Sequence, residues 1–569
     1  MKSRTSLFNR TVLLKDITRF CPIWIIFSVI NLLPTLGNLS TAALMEKNYI
    51  AFLLGGDLGA YAITALVYAL ICALFLFGDL FKSKLCNALH ALPLRRESWF
   101  ATHFLAGVLF FLAPGTVNAL ICLPYMGEYW FVAPMWLLAT TVMYLFFFTL
   151  AILCVMLTGG RFAAAAVYVL INFFSLLCYW MVDTYYAPLL PGLHIRDTVF
   201  IWFCPVAMLA SGEYFIFDCV EAYPSKGVVD LYESMYYTYK YVFKGFGSNW
   251  LYIGIVAALA VVLFILALVL YRKRKLESAG DFLAFRKPQP VFLVIFSLTI
   301  GAIFQSIFGL FDSNIVSMII GLVIGCYAGQ MLLRRTVKVF DKRSLIWAGA
   351  MAAALGLTLV VTSIDPLGLT RWTPEPEQVV SIALSEDYEY VKNEYYHSKT
   401  VTIQDPGNIE KIVSVHEKIL AEGAYIVPSQ GYYGQAAYIH PIHLTYKLAD
   451  GREVVRRYYV TDNTLAQQLE PFFSSNKYLL GYDDFDDFIA HVELVTLDSA
   501  DIASAADKEA LLRAVWADCE AGLMSQNGSD TQMTEHWITI LTEDYYINLT
   551  VFDYSKNTMA WIHGIQIFH

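Results

Sequence analysis

Nine separate apolar runs, each about 20 residues and so long enough to cross the hydrocarbon of a bilayer, constrain this chain more than any other feature. They lie at 20–37, 58–78, 101–124, 133–157, 162–183, 249–271, 291–311, 314–333 and 344–364. In hydrocarbon every backbone polar group must be satisfied within the segment, so such runs read as helices. A polytopic α-helical membrane protein follows. Composition agrees, with 57% of the 569 residues apolar and 15% charged, which excludes an ordinary soluble protein. The one long gap, 184–248, contains Ile201 to Val220, apolar enough to enter the membrane yet broken by Pro205, Gly212 and Glu213. It reads as a re-entrant pair of half-helices or an interfacial segment, not a tenth span.

Charge divides the chain in two. Residues 1–364 carry 26 Lys and Arg against 17 Asp and Glu, a balance of +9, whereas residues 365–569 carry 13 against 31, a balance of −18. The boundary falls near Asp365 and leaves a polar unit of 205 residues, enough to bury a core of its own. Its acidity excludes nucleic acid as a partner, because phosphate binding needs clustered cations. Orientation follows from the cations at the span ends. Arg10, Lys15 and Arg19 precede the first span, Lys82, Lys84, Arg95 and Arg96 follow the second, and Arg161 lies between the fourth and fifth. Arg272 to Lys275 follow the sixth, and Arg334, Arg335 and Lys338 follow the eighth. Every second loop is basic, so the N-terminus is expected in the cytoplasm and the C-terminal domain outside a cell membrane. Met1 to Phe20 is basic and mixed, without the apolar core and small-residue cleavage site of a removable signal peptide.

The domain beyond residue 365 holds only Cys519 of the ten cysteines, so no internal disulfide can support it. The others lie in apolar segments and read as small buried hydrophobes, with Cys204 and Cys219 the one pair kept as a candidate bridge. An α+β fold is expected. Glu410–Glu422 sets Ile412, Val413, His416, Ile419 and Leu420 on one helical face, and the Asp450-Gly451 step between alternating runs signals a hairpin. A second helix over Asp507–Leu523 leads to a second pair of strand-like runs around Glu543-Asp544. Helix then hairpin therefore occurs twice, the pattern of a duplicated unit.

The loop between the second and third spans runs from Phe81 to Glu97. Leu85, Ala88, Leu89 and Leu92 recur at helical spacing, and Pro93 ends the helix before Arg95 and Arg96. Such a stripe suits a helix lying on the lipid surface, and equally one inserted into a groove of a cytoplasmic partner. This NALHALPLRRE loop stands in a telling order of features. An amphipathic N-terminus (Leu7, Phe8, Val12, Leu13, Ile17) precedes it, six spans contain a broken segment after the fifth, and YRKRKLESAGDFLAF follows the sixth. In that order the chain resembles permease subunits of type-2 ABC exporters. Three further spans and an outer domain with LTYKLADGREVVRRYYV are similar to the Ytr-type subgroup of Gram-positive bacteria. The resemblance implies a six-span permease core over 1–271, additional spans over 272–364 and an extracytoplasmic domain over 365–569. It also implies a second permease, identical or not, and separate ABC ATPase subunits holding ATP and Mg. Carried over by residue, it makes Leu85 to Leu92 the coupling helix, flanked by Phe81, Arg95 and Arg96.

The chain carries no phosphate-binding loop of the Gxxxx-GK[ST] type and no HEXXH or GXSXG signature, so it is expected to be non-catalytic and to hold no cofactor itself. His440 and His443 face opposite sides of an extended segment and do not make a metal site. Asp483, Asp484, Asp486 and Asp487 lack the Gly and terminal Glu of a calcium loop, but as a cluster they would attract cations. Polar groups in the apolar segments are few, chiefly Asn31, Asn172 and Glu213, and these are the candidates for a substrate path. The path is otherwise apolar and aromatic, which suits an amphipathic peptide or lipid-like substrate moved with external energy. Two rivals remain: a membrane-anchored sensor binding a ligand through the outer domain, and a membrane transferase, for which no acidic or metal cluster is found.

Overall fold

The computed structural model describes residues 9–42, 49–56, 58–82, 84–85, 95–193, 197–222, 238–274, 280–308, 314–385, 400–423, 425–426, 440–460, 465, 468–469, 480, 482, 484–498, 500–502, 504–520, 534–542, 546–552 and 555–566. Nine helices among them are long and apolar enough to cross a membrane: Cys21–Leu39, Leu58–Leu76, Arg96–Tyr125, Val132–Leu157, Arg161–Leu189, Asn249–Lys273, Gln289–Phe308, Ile315–Arg334 and Lys342–Ile364, here spans 1 to 9. This is the set read from the sequence. The chain separates into two compact units, one of residues 1–182 and 196–357, the other of residues 183–195 and 358–569.

Span 4 is the centre of the first unit. Trp136, Met143, Tyr144, Phe147 and Phe148 are buried along it, and it packs against spans 2 and 6. Tyrosine hydroxyls there need acceptors, since lipid offers none, and they find them on neighbouring backbones. Tyr144 donates to the Gly107 carbonyl at 2.9 Å and Tyr168 to that of Leu66 at 3.0 Å. Gly107 itself is required by packing, because a Cβ there would lie 2.2 Å from the Phe148 ring. Spans 7 and 8 pack most closely of all. Gly321, Gly325 and Gly329 recur every fourth residue on span 8, and a Cβ on Gly325 would stand 2.9 Å from the Ser297 backbone of span 7. Small residues at this spacing let two backbones approach where no hydrophobic effect drives them together.

The broken segment, expected to be a re-entrant pair of half-helices or an interfacial segment, has a helical part that ends at Ser211. Short helices Asp197–Trp202 and Pro205–Ser211 are followed by a strand, Phe215–Ala222, which pairs with Thr238–Phe246. Cross-strand aromatic pairs, Phe215 with Phe246 and Phe217 with Phe243, explain the switch from helical to two-residue periodicity. Cys204 is a free, buried thiol bonded to the Asn172 carbonyl at 3.3 Å, so the candidate bridge to Cys219 is not made.

Among the described residues the second unit contains two sheets, each with its own core. In chain order the strands of the first are β1 (Gly192–Leu193), β2 (Val379–Ser385), β3 (Thr400–Ile403), β4 (Tyr425–Ile426), β5 (His440–Leu448) and β6 (Glu453–Val460), arranged β1-β6-β5-β2-β3 with β4 also on β6. The expected hairpin is β5–β6, turning at Gly451 with φ +83°. The helix Pro406–Glu422 covers this sheet. Asp405 caps its start by accepting from the Asn408 N–H at 2.9 Å, and Gly423 ends it at φ +62°. Ile412, Val413, His416 and Ile419 are buried as the periodicity required. The second sheet combines Val492–Leu497, Ala500–Asp501, Thr534–Thr542 and Tyr546–Phe552, with helix Ala505–Glu520 contributing Leu511, Leu512 and Val515 to its core. Helix followed by hairpin thus occurs twice. The strand β1 is new: it belongs to the segment the sequence grouped with the six-span core, yet it pairs with Arg456 and Arg457 of β6.

Candidate functional site

Span 2 ends at Leu76, and the chain turns through Gly78–Phe81 before the loop toward span 3. Phe77 is fully buried at this point. Its ring meets Trp99 and Phe100 at 5.6 Å and His103 at 5.8 Å, and Trp99 stacks on Tyr271 of span 6 at 5.7 Å. An aromatic cluster therefore joins the end of span 2 to the start of span 3 and the end of span 6.

Arginines from three further places converge on the turn that follows. Arg19, at the end of the helix Arg10–Arg19, pairs with Asp79 at 3.3 Å. Arg274, just beyond span 6, is buried, donates to the Val155 carbonyl at 2.6 Å and reaches the Leu80 carbonyl at 3.5 Å. Arg161, at the start of span 5, lies over the Phe75 ring at 5.6 Å and so close to Gly78 that a Cβ there would meet its guanidinium at 2.8 Å. These contacts differ in weight. The exposed Arg19–Asp79 pair is worth about 0–1 kcal/mol, whereas the buried Arg274 bonds contribute about 1.5–3 kcal/mol each because one partner is charged.

The far end of the loop is fixed in the same way. Arg95 precedes span 3, and Glu97 in its first turn pairs with Arg272 at 3.2 Å. The N-terminal helix joins span 3 as well: the Asn9 N–H donates to Thr102 Oγ1 at 3.2 Å, and Asp16 pairs with the His103 ring, both nearly wholly buried. Residues 82–95 thus leave and re-enter a rigid frame built from spans 2, 3 and 6 and the N-terminal helix.

Of the residues the sequence placed in this loop, Phe81 is half-buried in the turn, Leu85 is exposed, Arg95 is exposed and Arg96 is half-buried. Ala88, Leu89 and Leu92 lie outside the described residues. The three path residues are not brought together. Asn31 accepts from the Asn118 amide at 2.8 Å, Asn172 donates to the Tyr168 carbonyl at 2.9 Å, and Glu213 is exposed, its carbonyl accepting from the Asn249 N–H at 3.3 Å. In the acidic cluster, Asp484 caps the helix Phe485–His491 by accepting from the Asp487 N–H at 3.4 Å. Asp486 and Asp487 occupy its first turn, where negative charge favours the helix dipole. That gives three of the four a local structural role, while Asp483 lies outside the described residues. Among the described residues no group of three His, Cys, Asp or Glu is placed to hold a metal ion.

Sequence reasoning missed the clamp itself. Arg19, Arg161, Arg272 and Arg274 were read as markers of membrane side, and nothing in their spacing shows that Arg19, Arg161 and Arg274 converge on one turn while Arg272 pairs with Glu97.

Compared with family models, with curated proteins and with solved structures, the chain finds no match in any of the three. What the fold defines is a mostly helical protein with nine helices, among the described residues, long and apolar enough to cross a membrane, and a strand-bearing C-terminal unit.

Proposed function

We propose that the chain is the transmembrane permease subunit of an ATP-driven exporter of the type-2 ABC class. Its loop over residues 82–95 receives the motion of separate ATPase subunits, and it moves or extracts an amphipathic peptide or lipid-like substrate. The observation that carries this reading is the convergence of Arg19, Arg161 and Arg274 on the turn Gly78–Phe81. A lipid-lying helix needs no such root. A lever does, because a force on the loop must displace spans 2, 3 and 6 together instead of bending one connection. ATP and Mg belong to the partner ATPase, and a second permease completes the path.

Topology supports the same reading. The strand β1 follows span 5 and pairs with β6, which follows span 9. Both come after odd-numbered spans, as a nine-span path with the two strands on one side of the membrane requires, and the basic alternate loops favour the outside for that side.

Tagged full-length chain should co-purify with an ATPase subunit. Replacing Leu85 and Leu89 by Asp should leave the protein inserted but abolish substrate-stimulated hydrolysis, since desolvating unpaired carboxylates against a partner costs several kcal/mol. Unchanged association and hydrolysis in the double variant would return the loop to the lipid surface. Purification without any ATPase, with ligand bound by the C-terminal unit, would favour the sensor.

A further inference from the structure

Arg456 carries a buried charge that its surroundings leave unanswered. It lies on β6 between Leu193 of β1 and Leu444 of β5, so the strand cannot slide to carry its side chain to water. The residue is 3% exposed, and its Nε and Nη1 are buried without a hydrogen-bond partner. The Trp372 ring lies 5.2 Å from the guanidinium, a cation–π contact that supplies no hydrogen-bond acceptor.

Neighbouring polar groups are already engaged. Both ring nitrogens of His416 meet tyrosine hydroxyls, Nδ1 that of Tyr446 at 2.9 Å and Nε2 that of Tyr458 at 2.8 Å. The carboxylate whose charge reaches Arg456 is that of Asp365. It accepts from the Leu369 and Thr370 N–H groups at 2.9 and 2.8 Å and from Thr370 Oγ1 at 2.7 Å. Burial lowers the Arg456 pKa, yet a guanidinium stays protonated throughout the physiological range. A cation so enclosed is strongly destabilising unless an acceptor of opposite charge meets it.

Enclosure also limits the size of that acceptor. Water would accept from Nε or Nη1 but leave the charge uncompensated, and a sugar, a peptide carboxylate or a lipid phosphate brings a body that the covered guanidinium cannot admit. A monatomic anion brings charge alone. The surface of the unit works against chance binding, because residues 365–569 carry a balance of −18 and repel anions at long range.

We propose that Arg456, beneath Trp372, binds a monovalent anion of chloride size, which fastens the connection 365–378 between span 9 and β2 to the sheet. The proposal does not rest on the permease reading, and its test needs no ATPase. Full-length chain in lipid nanodiscs is held at constant ionic strength while gluconate, too large to enter, is replaced by chloride. Hydrogen–deuterium exchange is then mapped by mass spectrometry. For half-saturation at about 10 mM, chloride at about 100 mM should slow exchange about tenfold in peptides covering 366–372 and β6. Arg456→Gln should abolish the slowing, whereas Arg452→Gln, which removes an exposed cation from the same hairpin, should keep it.

A second readout needs no change at Arg456. Bromide, close to chloride in size and a heavy-atom quencher, should quench a saturable fraction of the tryptophan emission that chloride restores and that Trp372→Phe lacks. If Arg456→Gln fails to fold, this titration of the parent chain decides alone. Equal exchange in chloride and gluconate, slowing spread evenly over all peptides, slowing that survives Arg456→Gln, or quenching that rises linearly with bromide would overturn the proposal and leave Arg456 to water.

Discussion

His416 shows how a single side chain links sequence to stability. It sits on the buried face of its helix, with Nδ1 2.9 Å from the Tyr446 hydroxyl and Nε2 2.8 Å from that of Tyr458. Burial, reinforced by the nearby Arg456 guanidinium, pushes its pKa from 6.5 down to about 3. The unfolded chain therefore binds a proton that the native state refuses. Stability from this site is complete above pH 6.5 and is lost as pH falls toward 3, at about 1.4 kcal/mol per pH unit. Thermal unfolding of the C-terminal unit should show a loss of about 2 kcal/mol between pH 7 and pH 5. His416→Gln, which keeps hydrogen-bonding capacity without titrating there, should flatten that slope, and an unaltered slope would place its origin elsewhere. The helical face that buries His416 was legible in the sequence. Its two tyrosine partners were not, because they arrive from β5 and β6, 30 and 42 residues away.

At the scale of elements, the spans were legible because hydrocarbon demands long apolar helices, but their partners were not. The pairing of spans 7 and 8 rests on Gly321, Gly325 and Gly329, a four-residue recurrence that the apolar count overlooks. Gly325→Leu would drive a branched side chain into Ser297 and Ile300, and overpacking of this kind typically costs about 1–3 kcal/mol. Cys326, fully buried beside it, gives a direct readout. Its thiol should react with a membrane-permeant maleimide many times faster in Gly325→Leu than in the parent chain, and equal rates would mean that the spans do not separate. The 201–220 segment shows the opposite case. Pro205 and Gly212 were read correctly as breaks, yet the strand after them depends on cross-strand rings that no local pattern reveals.

For the whole molecule, the proposed nine-span topology can be tested directly. Single cysteines introduced at the exposed positions Trp130, Val380 and Val337, in a chain lacking its native cysteines, should separate cleanly. In intact cells an impermeant maleimide should reach positions 130 and 380, and position 337 only after permeabilisation. Labelling of 380 only after permeabilisation would break the nine-span path.

What the sequence determined by itself was set by solvent and periodicity. Apolar length gave the spans. Charge marked a boundary near Asp365, where the compact units divide after residue 357 and residues 183–195 join the second. Helical or alternating spacing gave two helices and two hairpins of the C-terminal unit. What only the tertiary structure decided was convergence. Asp79 and Arg19 are 60 residues apart, Leu80 and Arg274 are 194 apart, and Asn31 and Asn118 are 87 apart. Local physics assigns each of these residues an environment, water or lipid or core. Which environments coincide depends on how the helices pack, and packing is chosen by the whole set of side chains at once.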